Sequence, residues 1–342
     1  MNFTILHSKW PSAVALLPAI LFIGCTQGPG GAPAFLGNSS GIPGGGSTNA
    51  SNNSTLPGFP SQPSVQKLIY HVGPTDLLAG QAVDAMLEKP KTLTFQVNEP
   101  VWVIGFEPKI IDSDGNALPG KLLHKAIVFN KHEPNPMCAS GNGGNPFAVA
   151  TSTLTKVELP EGFGYPLVPE DPLEAKVVFQ NPTSQDYLGV SFSFELTTIP
   201  MEKAKGYGDL KAILLDTDPC DHKPLSIEPG AFVEKSNTFS VLEGGHLMVA
   251  NGLLSDYGVA VSLTHQEGNK PSLIPFWRAE AKLDESHQII ELTPNPFIDP
   301  SGKKIKQGDK LTLGVSFDNF SDDWHNAATG AAMVYVAPEE SL

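Results

Sequence analysis

Apolar and polar residues alternate with a period of two through much of this chain. Thr92-Leu93-Thr94-Phe95-Gln96-Val97, Thr155-Lys156-Val157-Glu158-Leu159 and Val190-Ser191-Phe192-Ser193-Phe194-Glu195-Leu196 show it cleanly. Successive side chains on a strand point to opposite faces, so this alternation predicts strands with one buried face. Shorter β-branched or aromatic runs predict further strands at 101–106, 125–130, 175–180, 212–216, 258–264, 289–292, 311–317 and 332–336. Turn sequences such as Asp114-Gly115-Asn116, Pro160-Glu161-Gly162 and Glu267-Gly268-Asn269 separate them. The 33 glycines and 31 prolines are spread widely enough to interrupt long helices, and only 75–87 predicts a helix of useful length. No short internal repeat is visible, so a propeller or solenoid is not expected. The predicted class is all-β, as two antiparallel β-sandwich (jelly-roll-like) domains side by side. The strand ending at Ile199 gives way to Met201-Glu202-Lys203-Ala204-Lys205-Gly206-Tyr207-Gly208, which suggests a boundary near 200–207. The expected domains are therefore 67–201 and 202–342.

The pattern before residue 67 is different. Lys9 precedes an apolar run over 13–23 that matches a signal peptide and is too short to span a bilayer. It ends in Leu21-Phe22-Ile23-Gly24-Cys25, similar to a bacterial lipobox, with Cys25 as the expected site of lipidation and 1–25 as the leader. Thr26, rather than an aspartate, after the cysteine points to the outer membrane. Residues 26–66 are Gly, Ser, Asn and Pro with hardly a charge, a composition that cannot offset its chain entropy by burial. It reads as a disordered tether, and the expected address is an exported, outer-membrane lipoprotein that is periplasmic or surface-facing.

Charge narrows the partners. The chain has 22 Lys+Arg against 36 Asp+Glu, a formal net charge of −14, which argues against nucleic acid and against docking on an anionic lipid surface. Membrane contact is expected only through the N-terminal lipid, with an envelope protein or glycan as partner. With Cys25 lipidated, Cys138 and Cys220 remain, and in an oxidising compartment they most simply form one disulfide. A thiolate metal site is the alternative. No nucleophile elbow, zinc-protease helix, phosphate-binding loop or dinucleotide fingerprint is present. His265 and His287 read as surface residues.

Several segments, in order, resemble one family. Asp112-Ser113-Asp114-Gly115-Asn116-Ala117-Leu118-Pro119 followed by Leu123-His124-Lys125-Ala126 is similar to a "DG…P" turn leading to a strand with a His-His pair. Cys138-Ala139-Ser140-Gly141-Asn142, Leu159-Pro160-Glu161-Gly162-Phe163-Gly164-Tyr165-Pro166 and Asp216-Thr217-Asp218-Pro219-Cys220 agree in sequence order. So do Gly244-Gly245-His246-Leu247-Met248, Asp256-Tyr257-Gly258, Gly308-Asp309-Lys310-Leu311 and Phe317-Asp318-Asn319. Together they resemble the stress up-regulated nodulin-type domain, itself similar to the copper type II, ascorbate-dependent monooxygenases. The resemblance implies two jelly-roll-like sandwiches, each offering histidines to copper across a solvent cleft.

Residue by residue, much of that metal set is replaced. Lys125 stands where a second histidine belongs, and Phe179 stands roughly where a third belongs, so the first site keeps only His124. In the second, His246 is kept and Met248 takes the i+2 position. Val249 to Ser255 reads as an insertion, and Thr329 replaces the late methionine, with His325 and Met333 nearby. A His246, Met248, His325 cluster would offer imidazoles and a thioether suited to Cu(I). The plainer reading makes His246 a satisfied strand-edge histidine and Met248 a core residue. The expected function is therefore a lipid-anchored envelope binding module on a degenerate copper-monooxygenase-like scaffold, without assigned catalytic or cofactor-binding residues. The alternatives are a copper-binding protein or copper-dependent oxidoreductase using the second site, and a purely structural envelope lipoprotein.

Overall fold

The computed structural model describes residues 64–81, 89–138, 143–218 and 224–341, and there the alternating segments form two β-sandwiches. In the first, one sheet orders β1 (Gln66–Leu77), β9 (Tyr187–Pro200), β3 (Val101–Ile111), β7 (Phe163–Leu167) and β10 (Gly208–Asp209), with β6 (Val157–Glu158) also on β3. Its partner orders β2 (Lys91–Phe95), β8 (Leu173–Phe179), β4 (Leu123–Asn130) and β5 (Asn145–Thr151). In the second sandwich, one sheet orders β11 (Lys211–Asp216), β21 (Gly330–Pro338), β14 (Gly245–Leu254) and β18 (Phe297–Ile305). The facing sheet orders β13 (Phe232–Ser240), β19 (Lys310–Asp318), β15 (Gly258–Gln266), β16 (Ile274–Leu283) and β17 (Ile289–Thr293). A small ribbon pairs β12 (Leu225–Ile227) with β20 (His325–Ala328). All pairings are antiparallel except β10 with β7. The all-β expectation holds: among the described residues there is no α-helix, only three single-turn 3-10 segments.

The expected helix over 75–87 is corrected at its start. Thr75, Asp76 and Leu77 close β1, pairing with β9 at Val190 and Tyr187, because the segment finishes a sheet edge instead of coiling. Residues 82–88 lie outside the described set, as do the leader, the lipobox with Cys25, nearly all of the tether and Cys220. The first sandwich runs to Asp209 and the second starts at Lys211, slightly beyond the expected boundary. The two do not separate as compact bodies, since Phe59–Leu342 forms one unit.

The reason lies in β21. Ala331, Met333, Tyr335 and Ala337 join the core of the first sandwich, while Ala332, Val334 and Val336 join that of the second. A strand buried on both faces reads as a continuous apolar run, which is what Gly330–Pro338 is. Leu214 and Leu215 on β11 divide the same way. Against this sheet lies β5, buried along its whole length. Phe147 is the extra residue of a bulge in β5, where Val128 faces Ala148 and Phe129 faces Pro146. A bulge takes a residue out of the ladder. The Tyr335 hydroxyl donates to the Phe147 carbonyl at 2.7 Å, and the Tyr165 ring stacks on Phe147 at 4.9 Å.

Each sandwich also closes one loop with a buried asparagine. After β8, the Asn181 amide donates to the carbonyls of Leu77, Leu78 and Gln185, while its oxygen accepts from Thr183. After β19, the Asn319 amide donates to the carbonyls of Ile227, Glu228 and Asp323, while its oxygen accepts from Ser321. The two arrangements are equivalent, a duplication that appears at no short sequence period. Asn319-Phe320-Ser321 has the form of a glycosylation triplet, but Asn319 is fully buried with every amide valence used.

Asn319→Ala should strand the buried Ile227 carbonyl, release those of Glu228 and Asp323, and lower unfolding stability by about 2–3 kcal/mol, with Asn181→Ala similar, read from urea midpoints. Tyr335→Phe should cost about 1–2 kcal/mol, because the Phe147 carbonyl loses its donor at an otherwise apolar junction. A neutral Tyr335→Phe would mean that the junction does not depend on this bond.

Candidate functional site

His124 is the second residue of β4, and it is the extra residue of a bulge: Leu123 faces Phe179, while Lys125 faces Val178. The bulge turns the imidazole into the protein, where it is 3% exposed and its Nε2 has no hydrogen-bond partner. Burial, then the charges of Lys125 and His325, push its pKa down to about 3, so the ring is neutral at ordinary pH. Beside it, Gln180 Nε2 donates to the Lys121 carbonyl at 3.0 Å and across the junction to Asp256 Oδ2 at 3.1 Å. Burial pushes the Asp256 carboxyl up to about 6. Burial also lowers the Lys125 ammonium, with Asp216 acting against it.

The remaining expected ligands are scattered. His325 opens β20 with its ring 4.8 Å from that of Tyr257, just past the end of β14 where Leu254 faces Gly330. His246 stands at the other end of β14, facing Ala337. Eight residues of strand at about 3.3 Å each separate His246 from Leu254, so His246 and His325 lie on the order of 25 Å apart. The His246, Met248, His325 cluster is therefore not assembled. The supposed insertion after Met248 is the reason, because those residues are the rest of one long strand. His325 instead falls on the side of His124.

His246 and Met248 do share a face: a Cβ on Gly302 would meet Met248 Sδ and His246 Cβ. Met248 is the bulge residue between Leu247 and Val249, fully buried in the core. His246 Nδ1–H donates to the Ser301 carbonyl at 3.2 Å. Among the described residues no three of His, Cys, Asp and Glu gather as metal ligands. The donor set present does not fit either copper site of the resembled family, and no chemistry is derived through copper. Cys138 is buried in the turn after β4; its expected partner Cys220 lies outside the described residues. His265, expected at the surface, is buried, with Nε2 against Asp309 Oδ2 at 2.8 Å.

A cleft of about 500 Å³ lies elsewhere, at none of the motifs that stand out in the sequence. It opens between β11 and β13, the edge strands on one side of the second sandwich. Ile213 and Leu215 form one wall, with Val334 and Val336 behind them, and Phe239 and Val241 face them. The loop after β4, with Glu133 and Met137, contributes the first sandwich's share of the lining. The volume is that of a small-molecule site, and apolar walls with a few fixed polar groups suit one. The polar groups sit at one end. Tyr165 Oη donates to Glu133 Oε2 at 2.7 Å, and Asn145 Nδ2 donates to the same oxygen at 3.1 Å and to the Ala212 carbonyl at 3.0 Å. Burial and the Glu133 carboxylate raise the Tyr165 hydroxyl well above its ordinary value.

No protein-family model matches this sequence, and no curated protein matches it. Among solved structures, the major capsid protein P2 of bacteriophage PM2 is similar at 8% identity and a TM-score of 0.32, covering 80% of this chain and 98% of that one. A structure of Sulfolobus Turreted Icosahedral Virus is similar at 9% identity and a TM-score of 0.35, covering 82% and 92%. Peptide:N-glycanase F (PNGase F) is similar at 10% identity and a TM-score of 0.33, covering 79% and 96%. Likeness at this level says nothing about what this chain is or what it binds.

The junction carries a pH signature. The Asp256 carboxyl titrates near 6 in the folded chain against 3.8 for the ordinary side chain. The folded state holds the proton longer, so this group lowers stability as pH rises from about 4 through 6. Asp256→Asn should therefore match the parent near pH 4 and exceed it by up to about 3 kcal/mol at pH 7, in urea titrations across that range. Lys121 and Asp284 are the charges facing it, and both stay in place. A difference that does not change with pH would place the carboxyl in a solvated setting.

Proposed function

We propose that this protein is a non-catalytic binding module of a bacterial envelope, held by lipid on Cys25 and spaced from the membrane by residues 26–66. Its scaffold is of the nodulin type related to the copper monooxygenases, and its ligand seats in the cleft between β11 and β13. The observation that carries this reading is the cleft itself: about 500 Å³, with apolar side chains from both sheets of the second sandwich and a fixed carboxylate from the first. The supporting chemistry is the replacement of copper donors by Lys125 and Phe179, residues that fill space and hold charge without ligating. A Cys138–Cys220 disulfide belongs to the same reading, as expected of an exported chain.

Two measurements test it. An environment-sensitive apolar dye should bind the full chain once, and Ile213→Trp, which places an indole in the cleft, should abolish the signal without lowering the melting temperature by more than a few degrees. Leu242→Glu at the exposed mouth should weaken it several-fold and guards against misfolding of the first variant. Dye binding that survives both changes would remove the cleft from the account. Separately, Cys25→Ser should move the protein from the membrane to the soluble fraction, and mass spectrometry of the parent should find diacylglycerol on Cys25. A parent found soluble and unmodified would end the lipoprotein reading.

A further inference from the structure

We infer that the cleft selects an amphipathic organic cation, an apolar body bearing a primary ammonium group, which deepens the reading above and rests on it. The argument is one of hydrogen-bond supply. At the polar end of the cleft every side-chain donor is already committed. The Tyr165 hydroxyl is given to Glu133, and both Asn145 amide hydrogens go to Glu133 and the Ala212 carbonyl. These bonds also fix which atom of the Asn145 amide is the oxygen, since both partners can only accept.

What remains are acceptors. Asn145 is 5% exposed and lines the cleft, but its Oδ1, which has no hydrogen-bond partner, is covered and does not open to the cavity. Glu133 Oε2 takes both donors, and no bond reaches Oε1 among the described residues. Glu133 Oε1 is therefore the acceptor within reach, and the group that enters should bring donors to it. An ammonium brings three, whereas an alcohol brings one and a carboxylate none.

Charge points the same way. The rim carries Glu133, Asp209, Glu243 and Glu340 against Lys211, and Lys211 is already paired with Glu243. A cation therefore enters a negative mouth, and an anion is repelled from it. Behind the polar end, the walls from Ile213 to Val334 accept an alkyl or aryl body, whose burial supplies most of the affinity. The carboxylate is preoriented by two donors before the ligand arrives, which limits the ordering cost of binding.

The test is calorimetric titration of the full chain and of its Glu133→Gln variant in detergent with hexylammonium, hexanol and hexanoate, with protein-free micelles titrated alike to subtract partition into detergent. Hexylammonium should bind one per chain, hexanol at least tenfold more weakly, and hexanoate not measurably. Glu133→Gln should weaken hexylammonium at least tenfold, leave hexanol unchanged, and keep the parent's melting temperature to within a few degrees. Equal binding of hexanol and hexylammonium, or indifference to Glu133→Gln, would overturn the cation inference. If the apolar dye is still blocked by Ile213→Trp in that case, the binding cleft stands without it. Failure of the dye and of all three probes together would remove both.

Discussion

A strand with no solvent face, β21, organises this molecule. The alternation along β21 divides its side chains between two cores, so neither sandwich can complete its interior without the other. Separating them would expose Met333, Tyr335 and Ala337 on one side and Phe147 on the other, and would break the Tyr335–Phe147 bond. Inter-domain contacts within a chain are commonly small, polar and mobile. This one is apolar and buried, and it fixes the loop carrying Glu133 against the edge strand β11. The cleft inherits its shape from that constraint, because one part of its lining belongs to each sandwich.

Three bulges do the local aiming. His124, Phe147 and Met248 are each the extra residue in an otherwise regular antiparallel pair. Each points at or toward the joint between the sandwiches instead of following the pleat. The His124 bulge lodges an imidazole in a site too dry for its charge. The Phe147 bulge frees a carbonyl for Tyr335. The Met248 bulge sends two consecutive side chains, Met248 and Val249, into one core. A ligand set inferred from residue spacing alone assumes an unbroken pleat, and here the pleat is broken at two of the four proposed ligands.

Of the strands with one polar face, β2, β9, β15 and β19 stand close to where the alternation predicts them, whereas β1 and β16 alternate as well and are absent from that prediction. Strands that violate simple alternation were missed. In β13, Phe232–Ser240, the charged and polar residues of an edge strand hide the period. In β14 both faces are buried, so residues after Met248 read as an insertion when they are the strand itself. The misplacement of His265 has the same origin: its neighbours are polar, but Asp309 reaches it from a distant turn. The scattering of His246 and His325 could not be read without knowing that β14 is long. Of the cleft, the sequence holds only its components, since an opening between edge strands is a property of topology.

Asparagine separates scaffold from site within this one fold. Asn181 and Asn319 are fully buried, and both ends of each amide are satisfied. Asn145 is nearly as buried and keeps an unmet acceptor. The residue type is the same in all three, and Asn145 differs in standing on a strand, β5, where the other two close loops. An unmet buried acceptor costs roughly 1–3 kcal/mol, a sizeable fraction of a domain's net stability. The fold bears such a cost at several buried atoms, His124 Nε2, Trp102 Nε1 and Thr198 Oγ1 among them, and avoids it at the two loops that Asn181 and Asn319 close. Asn181 and Asn319 spend whole amides on holding loops, whereas Asn145 spends one donor on orienting the Glu133 carboxylate, so the same side chain serves the scaffold in two places and the wall of the cleft in the third.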